Sequence, residues 1–130
     1  MHSSSSNVYF PQYASIWGDD PNADVNTLVQ RLQAANGGKP LQSAYGVLGY
    51  ALIQIWEAAV KKAGTTDGPA VTHELETMGP IQSVVGPTLY STHWHIAMDR
   101  YVTVMGITNG KTHFITRLQP NFVDLNVLKK

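Results

Sequence analysis

Apolar positions fall into two regimes, helical spacing over the first two-thirds of the chain and β-type enrichment over the last third. Asn7-Val8-Tyr9-Phe10 is short and β-prone, Pro11 closes it, and the Gly18-Asp19-Asp20-Pro21-Asn22 cluster that follows is a turn. From Asp24, the residues Val25, Leu28, Val29, Leu32 and Ala35 recur at the spacing of one helix face, with Asn22 or Asp24 as the N-cap and Gly37-Gly38 as the stop. A second and stronger stripe comprises Val47, Leu48, Ala51, Leu52, Ile55, Trp56, Ala59, Val60 and Ala63, while Glu57 and Lys61 sit one turn apart on another face. Read as one face, that stripe packs a helix on a sheet, and Gly64 ends it. Thr66 or Asp67 caps a third helix carrying Ala70, Val71, Leu75 and Met78, which Gly79-Pro80 terminates. Leu89 to His95 and Tyr101 to Ile107 are rich in β-branched and aromatic residues, and Asn109-Gly110 predicts a type I′ hairpin joining Tyr101–Thr108 to Lys111–Arg117. The order strand, three helices, strands predicts an α/β fold with helices packed on a sheet.

Composition narrows the function classes more than the fold. With 130 residues, 43% hydrophobic and 14% charged, the chain is expected to form a single globular domain over residues 7–130. Nine Lys+Arg balance nine Asp+Glu, so no electrostatic excess favours nucleic acid, and none is expected as a partner. The absence of cysteine excludes disulfides, thiolate catalysis and Cys-ligated metal centres. Met1-His2-Ser3-Ser4-Ser5-Ser6 has neither the basic nor the apolar region of an export signal, and residues 1–6 are expected to be an appended remnant. No apolar run approaches the roughly 18–20 residues of a membrane span.

Three stretches carry a family resemblance. The run YFPQYASIWGDDPNADVNTLVQRLQAANGG resembles a strand, small loop and Gly-terminated helix of the periplasmic substrate-binding proteins of ABC importers, the leucine-binding-protein-like, branched-chain amino-acid and amide type. SAYGVLGYALIQIWEAAVKKAGTTDGPAVTHELETM resembles that family's paired helices, with a Tyr near the start, an Ala-rich helix ending Ala-Gly and an Asp-started successor. VVGPTLYSTHWHIAMDRYVTVMGITNGKTHFIT resembles its closing turn, hydrophobic strand and hairpin, so the likeness covers nearly all of Val8 to Thr116. It implies a type I, two-lobed fold that closes on a ligand about a hinge. Family members are much longer, so the chain corresponds to a C-terminal fragment: mainly second-lobe helices on a sheet, plus C-terminal strands that cross the hinge. The family's first-lobe ligand groups lie upstream of these residues.

The same resemblance places an aromatic against the ligand just before the long helix, where this chain has Tyr45, and a tyrosine there offers apolar area at low entropic cost. Tyr9, Tyr13, Ser15 and Trp17 lie on or beside the first loop and are the next ligand-binding candidates, and Ser43 could donate near Tyr45. Ala51 follows Tyr50 where many relatives carry an acidic residue, which leaves no obvious partner for a ligand ammonium.

His93-Trp94-His95, read as a strand, sets two imidazoles on one face, so His93 and His95 are the candidate metal ligands. Two ligands fall short of a site, and no metal or cofactor is expected. Without a Gly-x-Ser-x-Gly elbow, a Gly-rich phosphate loop or an H-E-x-x-H motif, catalysis is not expected either. The expected function is solute binding: the complete protein, periplasmic or extracellular, takes up a small amino acid or amide and delivers it to an ABC permease. The alternatives are a ligand-sensing regulatory domain of the same fold and a metal- or protein-interaction module. Strands and apolar helix faces deprived of neighbours are expected to draw the chain into a homo-oligomer or onto a companion chain.

Overall fold

The computed structural model describes residues 7–119, so the expectation for residues 1–6 lies outside the described residues. The elements run β1 (Val8–Gln12), α1 (Ala23–Ala35), α2 (Tyr45–Ala63), α3 (Gly68–Thr77), β2 (Ile81–Ser83), β3 (Gly86–Thr88), β4 (Val102–Thr108) and β5 (Lys111–Leu118). They form two compact units, one reaching through Leu48 with Val102–Leu118 added, the other comprising Gly49–Tyr101 and Gln119.

In the first unit, β1, β4 and β5 make an antiparallel sheet in the order β1-β4-β5. Pro11, expected to stop the first strand, lies within β1 opposite Val104. A proline lacks the N–H that a central strand would need, and β1 is an edge strand, where one ladder donor can be dispensed with. The β4–β5 turn follows the sequence closely: Thr108 pairs with Lys111, and Asn109 and Gly110 both adopt positive φ, 52° and 74°, as a type I′ turn requires. A register shift at Val104/Met105 puts a bulge in this ladder, with Val104 opposite Thr116 and Met105 opposite Phe114. α1 starts at Asn22, whose side chain accepts from the Asp24 N–H at 3.0 Å, and ends before Gly37 and Gly38, both at positive φ. It buries Val25, Leu28 and Val29.

A buried ion pair anchors the loop between β1 and α1. Asp20, whose side chain is 0% exposed, meets Arg117 of β5 through Nη2, at 2.7 Å to Oδ2 and 2.9 Å to Oδ1. The same carboxylate accepts from the backbone N–H of Ser15 at 2.8 Å and of Asn22 at 2.9 Å. Asn26 completes the enclosure, accepting from the Asp20 N–H at 3.1 Å and donating its amide to the Asp20 carbonyl at 2.8 Å. Arg117 also donates through Nε to Thr103 Oγ1 at 3.2 Å, and Thr103 Oγ1 donates to the Tyr13 carbonyl at 3.4 Å. Asp19 accepts from the Ser15 hydroxyl and, at 2.7 Å, from the Phe114 N–H beside the bulge. The turn seen in the sequence is thus stitched to the far edge of the sheet.

In the second unit, α2 buries Ala51, Ile55 and Ala59, whereas Leu52 and Trp56 of the same expected stripe are exposed. The long apolar run covers two faces of the helix, of which one is packed. Lys62 on α2 reaches Glu74 on α3 at 3.3 Å, and Asp67 caps α3 by accepting from the Ala70 N–H. The β2–β3 hairpin, absent from the sequence reading, turns through buried Val84 and Val85, and Gln54 Oε1 accepts from the Val84 N–H at 2.8 Å. Hydrophobic turn residues conceal such a hairpin, because turn chemistry is ordinarily recognised by polar residues and glycine.

Leu89 to His95 does not form the expected strand, apart from a single bridge between Leu89 and Met98. The Ser91 hydroxyl accepts from the N–H groups of His93 and Trp94, and the Ser91 N–H bonds the Trp94 carbonyl, so a local turn captures the backbone donors that a ladder would use.

Two stability outcomes follow from this packing. Gly86 sits at φ +96°, and a Cβ there would collide with the Tyr101 ring, so Gly86→Ala should cost about 2 kcal/mol or more and lower Tm in a thermal melt. Arg117→Met strands the Asp20 charge in the interior and should cost about 3–5 kcal/mol by urea denaturation, with Asp20→Asn in the same chain recovering part of the loss.

Candidate functional site

The six ligand-binding candidates all lie in the first unit, but the structure gives them different standing. Tyr45 opens α2 and is 69% exposed, far more than a core tyrosine would be. Its N–H donates to Ser43 Oγ at 3.4 Å, so Ser43 holds the helix entrance through that contact. Tyr13, half-buried, brings its ring centroid to 6.2 Å from that of Tyr45, tilted by 51°, within the range of favourable aromatic pairs. Gly46, the next residue of α2, lies close enough to α1 that a Cβ there would stand 3.3 Å from Leu32 Cδ1. Packing between α1 and the start of α2 therefore sets the position from which Tyr45 projects.

Trp17 forms a second aromatic couple, edge-on to Phe10 with centroids 6.4 Å apart, and it stays exposed. Tyr9 is exposed on β1 opposite Gly106, one position from Phe10 and therefore on the other face of the strand. Ser15 is fully buried, its hydroxyl donating to Asp19 and accepting from the Trp17 N–H at 3.3 Å. Its contribution is to the shape of the loop. The structure thus joins Tyr13, Tyr45 and Ser43 in one locality, and joins Ser15 to Trp17 in another.

The residues that hold this arrangement were not singled out from the sequence. Asp20, Arg117 and Thr103 connect through hydrogen bonds to the Tyr13 carbonyl, and so fix the backbone from which the Tyr13 ring extends. Both loop carboxylates are engaged, Asp20 by Arg117 and Asp19 by Ser15 and Phe114. The aromatic pair at the α2 start therefore offers apolar area and phenolic hydroxyls.

His93 and His95 have separate engagements in the second unit. The His93 ring stacks edge-on against Trp94 at 5.3 Å, and His95 Nε2 lies 2.6 Å from Glu76 Oε1. The segment is irregular, so the alternation that would align the two imidazoles is missing. Among the described residues no group of three or more His, Cys, Asp or Glu side chains comes together as a metal site, and no helix is long and apolar enough to cross a membrane.

A solved structure similar to this chain is the leucine-binding protein LivK from Thermotoga maritima, with a TM-score of 0.64 at 20% sequence identity. The match covers 89% of this chain and 32% of LivK, so the chain spans about a third of that relative's length, as expected for a fragment of the two-lobed α/β fold. No protein with a curated description matches significantly. The family model for periplasmic binding proteins matches residues 3–112, most of the chain, and the chain belongs to the periplasmic binding protein family.

Proposed function

We propose that this chain is the C-terminal part of the solute-binding component of an ABC importer. In the complete protein, which is periplasmic or extracellular, a small polar solute such as an amino acid or amide is held in a cleft between two lobes and handed to the membrane permease. The protein acts by closing on its ligand, without a chemical step. The observation that carries this reading, beside family membership, is the Tyr13–Tyr45 couple: a highly exposed aromatic at the start of a helix, backed by a second ring whose backbone is tied to a buried ion pair. An aromatic ring offers a large contact area with few rotatable bonds, so it loses little entropy when it takes up a ligand. The unpaired outer sides of β1 and β5 in the described sheet also suit a piece that pairs with further chain in the complete protein.

Calorimetric titration of the complete protein against a panel of amino acids and amides tests the proposal. Binding of one solute class is expected, with Tyr45→Ala raising its Kd about tenfold or more and Tyr45→Phe staying near wild type, because apolar area is what the ring supplies. Binding unaffected by Tyr45→Ala would remove this residue from the site. On this reading the 130-residue chain alone should bind the same solutes weakly, so micromolar affinity for an amino acid would contradict the fragment reading.

A further inference from the structure

Two asparagines of the chain precede a glycine, in Asn36-Gly37 and Asn109-Gly110, and the fold treats the two pairs differently. Asparagine is chemically labile, most of all before glycine, where no Cβ crowds the backbone nitrogen that must approach the side-chain amide. All four residues are exposed, so access of water and base does not separate the two places. Hydrogen bonding does. At the end of α1 the Gly37 N–H donates to the Ala34 carbonyl at 3.2 Å and the Gly38 N–H to the Gln33 carbonyl at 2.9 Å, while the Asn36 N–H donates to the Leu32 and Gln33 carbonyls, both at 3.0 Å. The attacking nitrogen is there held in the helix cap, and its proton is shielded from base. In the β4–β5 turn the Gly110 N–H has no hydrogen-bond partner among the described residues, since a two-residue turn leaves its central N–H groups outside the ladder. Asn109 stands at φ 52°, a region that residues with a side chain rarely adopt, and Thr108–Lys111 is the ladder pair that closes the turn.

We propose that Asn109-Gly110 is a site of spontaneous covalent modification, at which the Asn109 amide closes onto the backbone and reopens as aspartate or isoaspartate. Base removes the Gly110 amide proton, and the nitrogen adds to Asn109 Cγ. The Cγ–Nδ2 bond then breaks and ammonia leaves, which closes a succinimide ring. Water opens the ring in one of two ways. Breaking the new bond between Gly110 N and Cγ gives aspartate on an unchanged main chain; breaking the original peptide bond gives isoaspartate, whose main chain runs through the side-chain carbons and is one methylene longer. Water enters and ammonia departs, and the base is regenerated, so no further reactant is needed. Either product places a negative charge where the amide was neutral. Isoaspartate also lengthens a turn that spans two residues between Thr108 and Lys111, and so parts the pair that sets the register of β4 and β5.

Incubation of the purified chain at mildly alkaline pH, followed by peptide mass mapping and enzymatic labelling of isoaspartate, tests the assignment. In the folded chain Asn109 should convert about fivefold or more faster than Asn36, and the two rates should draw together in urea, where the helix cap no longer holds the Gly37 nitrogen. Amide hydrogen exchange supplies a second readout, in which the Gly110 N–H should exchange with less protection than the Gly37 N–H. The isoaspartate form, separated by chromatography, should melt below Asn109→Asp, which has the same charge on an unchanged main chain. Asn36 converting as fast as Asn109 in the folded chain, a rate ratio that urea leaves unchanged, a Gly110 N–H as protected as that of Gly37, or an isoaspartate form that melts with Asn109→Asp would overturn the inference. Each of these readouts is independent of solute binding.

Discussion

The ion pair between Asp20 and Arg117 is the interaction on which the first unit depends. Taking a carboxylate and a guanidinium out of water costs several kcal/mol each, and the cost is offset only where partners fill the remaining hydrogen-bonding positions. Here they do: Asp20 accepts from two backbone N–H groups as well as Arg117, and Arg117 reaches Thr103 with its Nε. One contact thereby joins the β1–α1 loop, the N-terminus of α1 and the edge strand β5, across a sequence separation of 97 residues. Through Thr103 it also reaches the Tyr13 carbonyl, so the ring paired with Tyr45 extends from backbone that the pair holds in place.

α2 shows how one sequence pattern can serve two surfaces. Its apolar residues outnumber those that a single packed face needs, and the surplus, Leu52, Ile53 and Trp56, lies in water. An exposed cluster of this kind is more than the scattered single apolar residues that ordinary surfaces carry.

Most of the fold was legible from periodicity and caps. Asn22, Asp67, Gly64 and Asn109-Gly110 mark their boundaries through local backbone chemistry, which short stretches of sequence contain in full. What escaped depends on tertiary context. Pro11 reads as a stop unless β1 is known to be an edge; Val84-Val85 conceals a turn; and Ser91 diverts a β-prone segment into a local turn. The place of Tyr45 at a helix start was legible too, and α2 begins at that residue. Asp20 looked like an ordinary turn residue, because nothing near it in sequence announces that Arg117 will arrive from the other end of the chain.

The most direct test of the account is a crystal structure of the complete protein with its solute bound. The account predicts the Tyr45 ring in van der Waals contact with the solute, with Tyr13 packed behind it and Asp20 still paired to Arg117. A solute bound elsewhere, with Tyr45 turned to bulk solvent or covered by protein, would contradict it.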